Sequence, residues 1–196
     1  MRKSTNKLTK HELNFAKSKL YPITKQHIVH KTNLLFNDLG QKLVQKLVQF
    51  ELINSLEYKV TRGENYNMMP FVVLDFPRLL GKNFDIVCRT MFWWGHYFSC
   101  NLFVNTDLIN IEQTAKNIAG LSKTKIWVGD NLWEQNLKTD QYTKLKKLSK
   151  EQIIEILTRQ PYLKLVTKIK LDTYNTIPQE AQAMFENWLL LVVKSS

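Results

Sequence analysis

Cysteine, glycine and proline are all scarce in this chain of 196 residues, which contains two, six and five of them, respectively. Two cysteines, Cys88 and Cys100, are too few for the disulfide framework of a small secreted domain, so we expect reduced thiols in a cytoplasmic protein. No stretch rich in glycine, serine or proline offers an interdomain linker. The sequence therefore predicts a single domain over residues 1–196.

Long apolar runs are missing as well. The two most apolar segments, 91–98 and 188–193, are far shorter than the roughly 20 residues that a membrane-spanning helix needs. The basic N-terminus is followed by Lys10, His11 and Glu12 where a signal peptide would have its apolar region. The sequence predicts neither a membrane span nor an export signal.

Motifs for catalysis and metal binding are absent too. The chain has no glycine-rich nucleotide loop, no Gly-x-Ser-x-Gly elbow, no His-Glu-x-x-His and no clustered Cys/His spacing. Nucleotide, hydrolase and zinc chemistry therefore lack support, and we expect no metal site and no cofactor. Whether the protein is an enzyme stays open, because some enzymes have no local motif.

Positive charge, in contrast, is abundant and uneven. The net charge is +11, and residues 1–48 contribute +8 of it through ten Lys and Arg residues against Glu12 and Asp38. A localised positive field attracts polyanions such as nucleic acid or anionic lipid. The same residues can also form a solvated surface. A polyanion or a protein is therefore the expected partner.

Several segments have the signals of helices. Thr9 and Glu12 form a capping-box pattern before a helix over 10–20, which Pro22 is expected to end. Apolar residues at spacings of three and four predict a helix over 32–54, in which Gly40 marks a kink or a start. Two further helices are predicted over 111–119 and 149–159, and a last helix begins at Thr176 and Pro178 and has an apolar stripe that reaches Val192.

The remaining patterns predict strands over 56–61, 71–76, 125–128 and 163–171, with the lysines of the last strand exposed. Residues 84–104 are too long for one strand and are expected to fold back at Gly95-His96. The predicted fold is α+β, an antiparallel sheet of about five to six strands packed against N-terminal, intermediate and C-terminal helices. Residues 1–54 form its basic helical part, 55–110 its antiparallel strands and 111–196 a mixed part.

The hairpin register predicts which residues share a face. It places Arg89 with Met91, Cys100 and Leu102 on the more apolar face, toward the helices, and places Cys88 on the other face. A buried guanidinium needs a carboxylate, and Asp75 is the leading candidate. The pair fixes strand register in one interpretation; in the other, Arg89, together with Arg78, faces a cavity and binds an anionic group.

Aromatic residues crowd the predicted hairpin tip at Trp93, Trp94, His96, Tyr97 and Phe98. Packing in the core and at its rim is their usual role. The alternative is an exposed stacking platform for bases or a docking surface for a protein, in which Trp94 and Tyr97 take part.

Three segments resemble a family of uncharacterised bacterial proteins of about this length. They are Gly63-Glu64-Asn65-Tyr66, the run Pro-Phe-Val-Val-Leu-Asp-Phe-Pro-Arg over 70–78, and Arg-Thr-Met-Phe-Trp-Trp-Gly over 89–95. The resemblance covers most of the chain and implies a bacterial cytosolic setting. It implies no activity, ligand or mechanism.

Three functions remain in competition. The first is a non-catalytic binding or interaction protein. The second is nucleic-acid binding through the basic N-terminal helices, and the third is an enzyme with a pocket around Asp75 and Arg89. The candidate ligand-binding residues are Asp75, Arg78, Arg89, Trp94, His96 and Tyr97.

Overall fold

An antiparallel sheet organises the computed structural model, which describes residues 6–81 and 83–193. In this part of the chain the strands are β1 Lys59–Tyr66, β2 Met69–Phe76, β3 Ile86–Trp93, β4 Tyr97–Asn105, β5 Lys125–Trp127, β6 Tyr142–Lys144 and β7 Tyr162–Ile169. Their order is β1-β2-β3-β4-β7-β5-β6. The α+β class with an antiparallel sheet is confirmed. The sheet has seven strands, not five to six, because the polar segment before residue 147 includes the three-residue β6.

Five α-helices accompany the sheet in the described residues: α1 Lys10–Lys17, α2 Leu20–Leu47, α3 Ile111–Ile118, α4 Lys150–Arg159 and α5 Ile177–Val192. The capping boxes at Thr9/Glu12 and Ser149/Gln152 are both formed. No helix within the described ranges has the length and apolarity to cross a membrane. α1 has no buried residue, so among the N-terminal helices only α2 contributes to the core.

α2 differs most from its prediction, since it is one helix of 28 residues. Pro22 does not end a helix but occupies the third position of α2. The first four N–H groups of a helix have no intrahelical acceptor, so the missing N–H of proline costs little there. At the other end α2 stops at Leu47, and the predicted residues up to 54 form turns that bury Phe50 and Ile53.

Gly40 lies inside α2 without interrupting it, because Tyr58 packs against its backbone. A Cβ at this position would lie 2.6 Å from the Tyr58 ring. Gly-to-Ala in a helix interior ordinarily stabilises by about 1 kcal/mol. We expect Gly40→Ala to destabilise instead, by about 1–3 kcal/mol, because the ring must shift. Urea denaturation measures the effect, with Gly120→Ala as the control in open space; a stabilised Gly40→Ala would contradict this packing.

The helices cover one side of the sheet, which we call the first face. This side holds the main core, which includes Phe36, Leu39, Leu43, Leu74, Phe98, Leu102, Leu165, Phe185 and Trp188. The opposite side, the second face, is covered by the segment 129–141, which we call the cover loop. Its smaller core includes Val73, Met91, Trp93, Tyr97, Leu137, Tyr142 and Val166. The strands β2, β3, β4 and β7 are therefore mostly buried on both sides.

The central hairpin has a register that differs by one residue from the prediction. Trp93 lies opposite Tyr97, whereas a two-residue turn at Gly95-His96 would pair Trp94 with Tyr97. The His96 amide donates to the Trp93 carbonyl at 3.0 Å, and Gly95 holds the third turn position with φ +71°. A type II turn requires positive φ at that position. The hairpin is confirmed, and its predicted turn is wrong.

A one-residue shift exchanges the two faces of a strand. Cys100 and Leu102 therefore lie on the first face with Cys88, and Arg89 lies on the second face, away from the helices. The predicted orientation of Arg89 and the predicted separation of Cys88 from Cys100 are both wrong. The two cysteines are nevertheless free thiols.

The strand bounds correct two further expectations. The strand predicted over 56–61 is β1, which starts at Lys59 and continues as far as Tyr66, and the chain reverses at Asn67 and Met68, both with positive φ. β7 is not an edge strand, because it lies between β4 and β5. Lys164, which we expected in solvent, is consequently fully buried on the second face.

Candidate functional site

The second face carries polar side chains in a row across neighbouring strands. Asp75 on β2 lies opposite Arg89 on β3, and Arg89 lies opposite Asn101 on β4. Directly opposed residues share a face and contact each other. Asp75 and Asn101 are buried. Because buried polar groups are informative exceptions in a protein core, this row marks the second face as the candidate site.

Asp75 and Arg89 form a bidentate ion pair. Arg89 Nε donates to Asp75 Oδ1 at 2.6 Å, and Nη2 donates to Oδ2 at 2.9 Å. The guanidinium carbon lies 4.6 Å from the centre of the Trp133 ring and 5.9 Å from that of Phe103. The predicted partner of Arg89 is confirmed. Both the carboxylate and the aromatic rings hold the guanidinium in one orientation.

Arg89 lines a cavity of about 260 Å³ between the strands β1 to β3 and the cover loop. The lining residues are Tyr66, Phe71, Val73, Leu79, Arg89, Met91, Trp133 and Gln135. Three of these side chains are aromatic and three are aliphatic, which leaves Arg89 and Gln135 as the main polar groups. A mostly apolar pocket with a few fixed polar groups is the usual form of a small-molecule site.

Lys164 fastens the cover loop to the sheet. Its ammonium donates to the carbonyls of Leu132 and Glu134 at 2.8 and 2.7 Å and to the Tyr142 hydroxyl at 2.6 Å. Burial lowers the pKa of Lys164 well below its ordinary value, and the positive Arg89 lowers it further, while Glu134 acts in the opposite direction. All three N–H groups of the ammonium therefore have acceptors inside the protein.

Two tyrosines bind the same loop. The Tyr97 hydroxyl donates to the Gln135 carbonyl at 2.8 Å and accepts from the Leu137 amide at 3.0 Å. The Tyr66 hydroxyl donates to Glu134 at 2.5 Å. Burial, followed by the hydrogen bond to Glu134, raises the pKa of Tyr66 to about 12. The loop is a fixed wall of the cavity, held at three points by Lys164, Tyr66 and Tyr97.

The Oε1 oxygen of Glu134 accepts hydrogen bonds from the Tyr66 hydroxyl and from the amides of Gln135 and Asn136. Burial by itself raises its pKa, but hydrogen bonds from Tyr66 and from the amides of Asn136 and Gln135 outweigh burial and leave the pKa of Glu134 lowered. Glu134 is therefore ionised at neutral pH, and its Oε1 oxygen orients the loop backbone.

Two buried amide oxygens have no donor among the described residues: Asn101 Oδ1 and Gln135 Oε1. Leaving such an oxygen unpaired costs about 1–3 kcal/mol. Both unpaired oxygens lie on the second face, which also holds the cavity: Asn101 lies beneath the cover loop, and Gln135 belongs to it. Uncompensated polar groups of this kind are found more often at binding sites than in a core that serves packing alone.

The other predicted site residues do not line the cavity. Arg78 pairs with Glu57 at 3.4 Å in solvent. His96 is exposed and stacks on Trp93 with ring centres 3.6 Å apart. Trp94 packs against the first-face core, whereas Tyr97 is buried on the second face, so the two do not form an exposed platform. The structure brings together Asp75 and Arg89, and places Tyr97 behind them as a loop anchor.

Sequence reasoning missed Trp133, Glu134, Gln135 and Lys164. The three loop residues lie in a polar stretch without periodicity. Among them only Trp133, an isolated aromatic residue, indicates a buried contact. Within the described ranges no group of three or more His, Cys, Asp or Glu side chains is arranged to hold a metal ion.

Comparison of the chain with protein-family models, with curated proteins and with solved structures finds no match. The resemblance to a family of uncharacterised bacterial proteins stays a prediction. The functional conclusion depends on the geometry of the second face.

Proposed function

We propose that the chain is a non-catalytic binding protein for a small, largely apolar molecule that carries a carbonyl or carboxylate oxygen. The ligand lies in the second-face cavity, with its apolar body among Tyr66, Phe71 and Trp133 and its oxygen on Arg89. A cavity of about 260 Å³ suits a molecule of roughly one ring with a short substituent.

The free edge of the Arg89 guanidinium carries this proposal. Asp75 occupies Nε and one side of Nη2, whereas Nη1 donates to no acceptor within residues 6–81 and 83–193. Nη1 is not among the buried atoms that lack partners, so it is accessible, and because Arg89 lines the cavity we infer that its N–H groups face the ligand. The Asp75 ion pair and the Trp133 ring already hold the guanidinium in place, so a ligand that binds Nη1 loses little affinity to ordering of the Arg89 side chain.

The charges of the side chains around the cavity determine which oxygen-containing groups of a ligand can bind Arg89. Arg89 and Lys164 are offset by Asp75 and Glu134, so the site has no net charge that demands an anion. A neutral carbonyl and a carboxylate both supply the acceptor that Nη1 lacks. The shared chemistry is therefore an acceptor oxygen on a small apolar body.

Binding is favoured over catalysis by the groups that line the cavity. Of these described residues only Tyr66 and Arg89 ionise, and the Tyr66 hydroxyl, with its pKa near 12, donates to Glu134. General acid–base catalysis needs a group whose pKa lies near the working pH. Tyr66 does not meet that condition, and Arg89 is held in its ion pair with Asp75.

The cellular compartment is part of the same proposal. Burial raises the pKa of Cys88 well above its ordinary value and that of Cys100 to about 12, so both thiols are poorly reactive. Free cysteines that pack as small apolar residues suit a reducing compartment. We propose a bacterial cytosolic setting on this ground and on the sequence resemblance.

Three probe ligands, one variant that blocks the cavity and one control variant test the proposal. Phenylacetate and phenylacetamide are expected to bind the wild type more tightly than toluene, by about tenfold for a hydrogen bond to a charged donor. Leu79→Trp fills the cavity from its rim and should abolish binding. Leu80→Trp is the matched control, because Leu80 is exposed and does not line the cavity.

Titration calorimetry measures these affinities directly. Equal affinity of wild type and Leu79→Trp for phenylacetate would place the site elsewhere. Failure of the wild type to bind any of the three probes would contradict the proposed ligand class.

A further inference from the structure

The side of α2 that faces away from the sheet carries a regular stripe. Its nine positions are spaced by three and four residues in strict alternation: Leu20, Ile23, His27, His30, Leu34, Asn37, Gln41, Val44 and Val48. Val44 is half-buried and the other eight are exposed. This spacing is the heptad pattern of helices that pair side by side.

Apart from Val44, which packs against the main core, the stripe does not belong to the core of the chain. α2 buries Val29, Phe36, Leu39, Leu43 and Leu47 on the side toward the sheet and α5. At 100° per residue, most of the stripe lies on the opposite side of the helix, and Val44 lies between the two sides. Leu20, Ile23, Leu34 and Val48 are 52–74% exposed. A long surface helix with a second apolar stripe has a face without a partner.

The stripe has the same pattern in both directions about Leu34. Two apolar positions are followed by His27 and His30, then by Leu34, then by Asn37 and Gln41, and finally by two more apolar positions. When two such helices run antiparallel and cross at Leu34, Leu20 faces Val48, Ile23 faces Val44, and each histidine faces an amide. Apolar positions meet apolar ones and polar positions meet polar ones.

We propose that α2 pairs antiparallel with α2 of a second copy of this chain, about a two-fold axis at Leu34. A two-fold interface uses the same surface on both copies and must therefore be self-complementary. Leu20 and Val48, and likewise His27 and Gln41, lie at equal distances from Leu34, and the partners in the other two pairs, Ile23 with Val44 and His30 with Asn37, differ in distance by one residue. Polar residues within such a seam fix the register at some cost in stability.

Charges beside the stripe support the same register. Lys31 and Asp38 flank it on one side and lie three and four residues from Leu34. In the antiparallel pair Lys31 of each copy faces Asp38 of the other, which gives two intermolecular ion pairs. Asp38 now pairs with Lys42 of its own helix at 2.6 Å, and both side chains are partly exposed, so the carboxylate can contact both cations.

A polyanion is the competing occupant, since residues 1–48 carry the excess of positive charge. Nucleic acid or an anionic membrane would use the lysines and would not depend on the order of apolar and polar positions. The symmetry about Leu34 has a role only when the partner is a second α2. The proposal is independent of the ligand cavity, which lies on the other side of the sheet.

Sedimentation at increasing protein concentration is the first test. The wild type is expected to shift from monomer to dimer, and Leu34→Glu is expected to stay monomeric, because the two glutamates meet at the axis. Leu190→Glu is the control, since Leu190 is an exposed leucine on α5 outside the stripe. Circular dichroism checks that each variant is folded. A wild type that stays monomeric throughout, or a Leu34→Glu variant that dimerises as the wild type does, overturns the proposal.

A charge exchange tests the register. Lys31→Asp and Asp38→Lys each place like charges opposite one another and are expected to weaken the dimer by several-fold, whereas the double variant is expected to restore it. If the surface binds a polyanion instead, Asp38→Lys would strengthen polyanion binding and Lys31→Asp would weaken it. The double variant would then show no recovery of dimer. Absence of recovery in the double variant contradicts the antiparallel register.

Disulfide formation gives the orientation. Leu34→Cys lies on the axis and is expected to link two copies under mild oxidation. Val48→Cys alone is expected to link poorly, but a mixture of Leu20→Cys and Val48→Cys proteins is expected to form the mixed dimer. A parallel pair would instead link Val48→Cys to itself, and that result contradicts the proposal.

Discussion

Replacing Arg89 with methionine is expected to destabilise the protein by about 3 kcal/mol, because it leaves the Asp75 carboxylate buried without its cation. Asp75→Leu is expected to have a similar effect, since it leaves the guanidinium unpaired. The side chains of the pair are only 14% and 10% exposed, so water replaces little of the lost interaction.

The double variant Arg89→Met with Asp75→Leu is expected to recover most of the loss, because a buried ion pair and apolar residues of similar volume contribute comparable stability. Urea denaturation of the wild type, both single variants and the double variant gives the coupling energy. Single variants that each cost less than about 1 kcal/mol would show that the pair is not a buried, desolvated interaction.

The double variant also separates the two roles of Arg89. If it folds but no longer binds phenylacetate, the guanidinium supplies a ligand contact beyond its part in holding β2 and β3 together. If it folds and binds phenylacetate as the wild type does, Arg89 has a structural role only, and the proposed contact at Nη1 is wrong.

Replacing Lys164 with methionine is expected to cost about 3 kcal/mol as well, because it leaves the Leu132 carbonyl without a donor beneath the cover loop and leaves the Glu134 carbonyl with the Tyr142 hydroxyl as its remaining donor. Lys168→Met is the matched control on the same strand and face. Lys168 is exposed, so its replacement should change stability by less than about 0.5 kcal/mol. Comparable effects of the two variants would contradict the anchoring role of Lys164.

The effect of Lys164→Met is expected to depend on pH. Burial lowers the pKa of Lys164 in the folded protein, whereas the unfolded chain has a lysine pKa of about 10.4. Between these two values the unfolded chain binds more protons, so the wild type gains stability from Lys164 as pH rises. The free-energy difference between wild type and Lys164→Met should therefore widen as the pH rises through this interval toward about pH 10. A difference that narrows over this range would show that the Lys164 pKa is not lowered.

Local signals in the sequence predicted most of the elements. The capping boxes at Thr9 and Ser149 mark helix starts through side-chain hydrogen bonds that involve only residues three apart. The Asp75–Arg89 pair was predictable because a guanidinium on a buried strand needs a carboxylate on a neighbouring one.

The errors arose where a single residue decides between two structures. Gly95 fits a two-residue or a three-residue hairpin loop, and the choice exchanges the faces of β4. Pro22 fits either the end of one helix or the first turn of the next. The sequence alone did not show which alternative gives the better packing.

The cavity itself depends on tertiary structure that local patterns do not encode. Lys164 is buried because β7 lies inside the sheet, and strand order follows from the packing of the whole chain. The cover loop has no periodicity, so the contacts of Trp133 and Gln135 with β1 to β3 could not be predicted from their sequence neighbours.

The most direct test of the central claim is a crystal structure of the protein with 4-bromophenylacetate, whose bromine is located by anomalous scattering. We predict the carboxylate within hydrogen-bond distance of Arg89 Nη1 and the bromine among Phe71, Leu79 and Trp133. Bromine located outside this cavity, or a carboxylate that contacts residues other than Arg89, would contradict the claim that the second face is the binding site.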